Sequence, residues 1–123
     1  MSSDFGQHTT GENVAGIFRH HNRERFHVFA YALSPSDGSK TRTAIESAAE
    51  TFREFSDLST VQLAFAVNAD GIHILVDMNG HTLGARPHVT ALRPAPITMF
   101  DQVWARAPFS YSWPSTERER HTH

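Results

Sequence analysis

The stretch Phe26–Leu33 (FHVFAYAL) is almost continuously apolar and rich in aromatic residues, with Val28 adding a β-branched side chain. A strand with one wet face alternates polar and apolar positions. A run without alternation suits a strand of a parallel sheet, covered on both faces. Parallel strands need crossover connections, usually helical, and the neighbouring text supplies them. Ser34–Ser39 (SPSDGS) is turn chemistry. Residues 40–54 put Ala44, Ile45, Ala48, Ala49 and Phe52 on one helical face and predict a helix. Phe55–Leu58 predicts a short second strand. Ser59–Ala69 reads as a helix, although Val61, Leu63, Phe65 and Val67 also alternate like a strand. Helix is preferred because a strand would leave the next one without a crossover. Ile72–Met78 (IHILVDM) is the clearest strand, closed by Asn79-Gly80. Gly84–Leu92 predicts a short helix. It must begin near Ala85 or Arg86, since Pro87 is tolerated only in the first turn. Arg93–Pro96 ends it, and Ile97–Trp104 predicts a last strand. Upstream, Gly11–His21 predicts a helix with Val14, Ile17 and Phe18 on one face. The order α-β-α-β-α-β-α-β is that of crossover units around a parallel sheet, so the fold class is α/β.

A chain of 123 residues is one small domain at most. With 39% hydrophobic and 20% charged residues its bulk is globular. A net charge of −2 gives no general attraction to nucleic acid or to an anionic membrane, and neither partner is expected. No apolar stretch reaches the roughly 20 residues that span a bilayer. MSSDFGQHTT has no basic and apolar leader pattern. The absence of cysteine removes disulfides and thiolate ligands and fits a reducing compartment. The expected location is therefore cytoplasmic, nuclear or both. Residues 105–123, with Pro, Ser, an ERER run and a terminal HTH, predict a divergent, disordered tail.

In open parallel sheets, ligands gather beyond the carboxyl ends of the strands. Three segments hold such positions: Ser2–His8, which would follow a strand absent from this chain, Ser34–Gly38, and Asp77–Gly84 (DMNGHTLG). Histidine occurs nine times, and its imidazole exchanges protons near neutrality. His8 stands at a helix entrance and His73 inside a strand. Asp70 and Asp77 bracket that strand. Either could orient a histidine or act as a base; Asp70 could equally end the preceding helix in an Asp-Gly turn. Arg86 and Arg93 could meet phosphate or lie solvated on a helix. No histidine pair has zinc spacing, and no Gly-rich phosphate loop or nucleophile elbow occurs. Neither a metal nor a cofactor is expected. The residues alone give a small α/β domain with no assigned activity.

Residues 70–97 (DGIHILVDMNGHTLGARPHVTALRPAPI) resemble the family motif of protein O-linked N-acetylglucosamine transferases. FHVFAYALSPSDGSKTR resembles that family's preceding strand and turn. MSSDFGQHTT resembles the start of its catalytic region. The resemblance covers residues 1 to about 98, with weaker stretches at 11–25 and 59–69. It implies a partial Rossmann-like parallel sheet with flanking helices, one fragment of a two-lobed (GT-B) glycosyltransferase, with residues 1–104 as part of the N-terminal catalytic lobe. It implies transfer of N-acetylglucosamine from UDP-GlcNAc to Ser or Thr of intracellular proteins. His8, His73 and Asp70 match active-site positions of the family. Asn79, Gly80, His81, Thr82 and Arg86 fall in its substrate-binding stretch.

The departures are specific. Asp77 replaces the usual Asn, and His81 and Leu83 replace Tyr and Lys. The second histidine expected after His8 is missing. After Ile97, TMFDQVWARAPFSYSW stands where a Gly/Pro/Thr-rich loop belongs. Met1 falls where the last residue of a first strand is expected, and the UDP-binding half lies outside this sequence. The expectation is a fragment inactive as an isolated chain. The alternative is a non-catalytic α/β binding module associating with a full-length transferase or another partner. The break after Ile97 reads as a splice variant, a shifted frame or an error in the coding sequence. Sequencing the transcript across codons 96–105 separates these; an intact, well-supported message there removes the error.

Overall fold

In the computed structural model, residues 1–79 and 84–100 are described. The element order is α1 (Thr9–His20), β1 (Phe29–Ala32), α2 (Lys40–Ala48), β2 (Thr51–Glu54), α3 (Thr60–Ala69), β3 (Ile74–Asp77), α4 (Pro87–Ala91) and β4 (Ile97–Phe100). This is the alternation that the apolar pattern predicts. The chain divides into two compact units, Met1–Ser56 and Asp57–His123.

In the first unit β1 and β2 pair in parallel, Phe29 opposite Thr51 through Ala32 opposite Glu54, with α2 as the crossover. Ser2 lies along the other edge of β1. Its N–H donates to the Tyr31 carbonyl at 3.1 Å, and its own carbonyl accepts from the Leu33 N–H at 2.8 Å. Ser2 and Ala32 thus form a parallel bridge. Flanked on both edges, β1 carries the buried Ala30, Tyr31 and Ala32. This is why its sequence lacks alternation. Phe5, Val14 and Ile45 complete the core, with Phe5 edge-on to Phe18 at 6.1 Å and Tyr31 stacked on Phe55 at 5.2 Å.

The helix predicted over residues 40–54 stops at Ala48, and the second strand is Thr51–Glu54 rather than Phe55–Leu58. Ala49 turns extended (φ −79°, ψ 142°), and Thr51 donates to the Val28 carbonyl at 3.1 Å. Phe52, which completes a helical face in the sequence, instead lays its ring against the guanidinium of Arg42, 5.0 Å from the ring centroid. The open edge of β1 and this cation–π contact outweigh local periodicity.

In the second unit β3 and β4 pair in parallel, Ile74 opposite Ile97 through Asp77 opposite Phe100, with α4 crossing over. α3 opens with a capping box between Ser59 and Gln62. Leu63, Ala64, Val67, Leu75, Met78, Val89 and Ala95 are the second unit's buried apolar side chains among the described residues. β3 begins one residue after His73, shorter than the predicted Ile72–Met78. α4 begins at Pro87, in the first-turn position proline permits. Residues 101–104 of the predicted last strand and the tail 105–123 lie outside the described residues.

Arg42 organises the first unit. It is 1% exposed, yet every guanidinium donor is engaged. Nε donates to Glu46 at 3.0 Å. One terminal nitrogen donates to the carbonyls of Phe5 (3.0 Å) and Pro35 (3.3 Å), the other to the Ser34 carbonyl (3.1 Å) and to Glu54 (3.2 Å). Removing such a side chain orphans buried carbonyls, which a compact ammonium cannot reach together. Arg42→Ala is expected to cost about 3–5 kcal/mol in urea unfolding, and Arg42→Lys to recover less than half. Wild-type stability in Arg42→Lys would contradict the five-donor account.

Candidate active-site loops

Two loops leave the carboxyl side of the first unit's strands, and they are stitched together. The Ser34 hydroxyl donates to the Ser3 carbonyl at 2.8 Å. The Asp37 carboxylate accepts from the Gln7 N–H at 2.8 Å and from the Ser39 N–H at 2.9 Å. A Cβ at Gly6 would strike this carboxylate, and one at Gly11 would strike the Gly6 carbonyl. Glycine lets the loop lie flush against both. The Ser39 side chain, the Gln7 N–H and the Ser39 N–H hold the Asp37 pKa down, from 3.8 to about 2.

His8 sits where this loop enters α1. Its backbone is extended, and its ring Nδ1 accepts from the Thr10 N–H at 3.1 Å. The side chain is exposed. Asp70 and His73 belong to the second unit. Asp70 caps the end of α3, with its N–H donating to the Ala66 carbonyl, and Gly71 follows at φ 68°. That is the helix-ending Asp-Gly turn. His73 is exposed, and its carbonyl accepts from the Ile97 N–H at 3.3 Å, one step ahead of the β3–β4 ladder.

Asn79 is fully buried, its N–H donating to Asp77 Oδ1 at 2.9 Å. Gly80, His81 and Thr82 lie outside the described residues. Arg86 is half-buried. It donates to the Leu58 carbonyl at 3.1 Å and the Thr60 hydroxyl at 3.2 Å, and so ties the start of α4 to the entrance of α3. Among the described residues no group of three or more His, Cys, Asp or Glu could hold a metal ion. No described helix is long and apolar enough to cross a membrane.

Three features escaped the sequence reading. Arg42 falls in the matched segment SKTR, but its carbonyl partners are far along the chain. Asp77 Oδ2 is buried without a hydrogen-bond partner among the described residues. Glu50 collects His21 Nε2 at 2.9 Å, Arg23, and the Val28 N–H at 2.7 Å, thereby fixing the α1–β1 connection. Burial pushes the Glu50 carboxyl up, but the Val28 N–H, His21 and Arg23 outweigh it and bring the pKa from 4.5 down to about 2.

Two predictions follow the carboxylates. Asp37 and Glu50 both have folded pKa values below their unfolded ones. Their stabilisation is complete above about pH 4.5 and is lost as pH falls towards 2. Glu50→Gln or Asp37→Asn should flatten that acid slope in urea midpoints; an unchanged slope in the double variant would refute the assignment. Asp77→Asn keeps an acceptor for the Asn79 N–H and removes a buried carboxyl oxygen that has no hydrogen-bond partner among the described residues. It should raise stability by about 1–3 kcal/mol, and a loss of stability would mean that Oδ2 has a partner.

The comparisons with known proteins agree on one lineage. The sequence profile of Glycosyl transferase family 41 matches residues 1–110, which runs past Ile97. The chain is 44% identical over 97 residues to a probable UDP-N-acetylglucosamine–peptide N-acetylglucosaminyltransferase of Arabidopsis thaliana, covering 79% of this chain and 10% of that protein. It is 45% identical over 98 residues to the Caenorhabditis elegans UDP-N-acetylglucosamine–peptide N-acetylglucosaminyltransferase, covering 79% and 8%. A solved structure of a Thermobaculum terrenum O-GlcNAc transferase mutant superimposes with a TM-score of 0.77 at 26% identity, over 80% of this chain and 19% of that one. The chain therefore spans about a tenth of the length of the curated relatives it matches. With the profile matching residues 1–110 and the fold shared, this chain belongs to glycosyl transferase family 41.

Proposed function

We propose that residues 1–104 supply part of the N-terminal catalytic lobe of a transferase moving N-acetylglucosamine from UDP-GlcNAc to Ser or Thr of cytoplasmic or nuclear proteins, and that the isolated chain does not turn over. The observation that carries this reading is the family match over residues 1–110 in a chain spanning about a tenth of its relatives. In it, His8, His73 and Asp70 line the reacting groups, and Asn79, Gly80, His81, Thr82 and Arg86 the sugar-nucleotide side. Glycosyl transfer to a hydroxyl depends chiefly on stabilising the departing diphosphate. Those contacts belong to the UDP-binding half, which these residues do not include. Asp77 adds a buried carboxylate beside Asn79, next to a stretch that would face a dianion.

The second reading is a binding module that associates with a full-length transferase. It is favoured by α3, which is apolar on both faces: Leu63, Ala64 and Val67 are buried, while Val61 and Phe65, one turn apart, are exposed, Phe65 to 72%. A glycosyl-transfer assay with UDP-GlcNAc tests the first reading, with no turnover expected from the purified 123-residue chain. Measurable turnover would overturn it. Co-purification with a full-length transferase, lost in Phe65→Asp, is the result the second reading expects; monomeric behaviour with no co-purification and no UDP binding by calorimetry would remove it.

A further inference from the structure

We infer that His8 meets its ligand as an Nε2–H hydrogen-bond donor and not as a proton acceptor. The identity of that ligand, an oxygen acceptor of a sugar nucleotide, rests on the transferase reading; the assignment of the ring proton does not.

The argument begins with the helix entrance. The first N–H groups of a helix have no partner within it, and a capping side chain supplies one. In α1 that side chain is an imidazole, whose Nδ1 accepts from the Thr10 N–H at 3.1 Å. An amide N–H can only donate, so Nδ1 must present its lone pair. In the neutral ring the proton then resides on Nε2. Turning the ring over would set Cδ2–H against the Thr10 N–H and leave that donor unmet. Thr10 is 1% exposed, so water is a poor substitute. The backbone around His8 is fixed as well. Its N–H donates to the Gly6 carbonyl at 2.8 Å, its carbonyl accepts from the Glu12 N–H at 2.9 Å, and the preceding peptide is held by Asp37.

The two ring nitrogens therefore have different duties. Nδ1 closes the helix. Nε2, which has no hydrogen-bond partner among the described residues, carries the proton outward on an exposed side chain. For Nε2 to take a proton from an acceptor hydroxyl, the ring would first have to move its own proton to Nδ1, which ends the cap. A ligand oxygen with a lone pair fits the capped ring; a hydroxyl surrendering its proton does not.

Long-range ¹H–¹⁵N spectra of the full labelled chain at about pH 8.5, roughly two units above an ordinary imidazole, read the tautomer directly. His8→Asn identifies the resonance while leaving a capping side chain in place. The expected result is an Nε2–H form of His8 at least about tenfold over Nδ1–H, collapsing in urea to the ratio the other histidines share. A predominant Nδ1–H form, or a ratio unchanged by urea, would overturn the inference. Adding UDP-GlcNAc should shift the Nε2 resonance and keep its proton; transfer of that proton to Nδ1 on addition also overturns it. An Nε2–H form with no response to UDP-GlcNAc supports the ring assignment and counts against the sugar nucleotide as the ligand of His8 in this chain.

Discussion

One buried guanidinium holds the carboxyl side of the first unit together. Arg42 reaches the carbonyls of Phe5, Ser34 and Pro35 from α2, while Glu46 and Glu54 share its charge and Phe52 covers one side. Loops at strand ends expose carbonyls that no ladder satisfies. A planar, five-donor group can gather several at once. Two loops far apart in sequence are thereby drawn to one side chain, and the path of Ser2–His8 into α1 depends on it. The short strand Thr51–Glu54 depends on it too, since Phe52 and Glu54 are both its partners.

Around this centre the loops of the first unit are held largely through main chain. Asp37 grips a peptide N–H, Gly6 and Gly11 permit backbone contact, and His8 closes the first turn of α1. In the second unit Asp70 ends a helix and Asn79 folds back on Asp77. Several residues singled out for chemistry thus hold structural posts as well. Such dual use follows where ligand-facing loops must be rigid before any ligand arrives. The family's frame persists in a chain spanning about a tenth of the length of its curated relatives.

The alternation of helix and strand was legible because buried parallel strands leave unbroken apolar runs, as at Phe26–Leu33, and because Pro87 fixes where a short helix begins. The boundary after Ala48 was not, since Ala49 and Phe52 extend a helical face whose interruption is set by β1 and Arg42. The resemblance named the family from three segments, and the profile match extends beyond the residues where it was read. The roles of Arg42, Asp37 and Glu50 were illegible for one reason: their partners are backbone groups or distant side chains, and a single sequence gives no sign of which carbonyl a guanidinium will find. The Asp77 oxygen that lacks a partner among the described residues was half visible, as a carboxylate where the family has an amide.

Glu50 gives the α1–β1 connection a different character from the elements it joins. Between Phe18 and Val28 the chain is mostly exposed, and it is held by one carboxylate with His21, Arg23 and the Val28 N–H upon it. α1 and β1 are retained by buried apolar surface, which salt does not weaken; this connection is retained by charge, which salt screens. Amide exchange there should respond to ionic strength independently of the core. The segment would then open as a separate cooperative unit, and this edge of the domain could loosen and re-form while the loops at the opposite ends of the strands keep their shape.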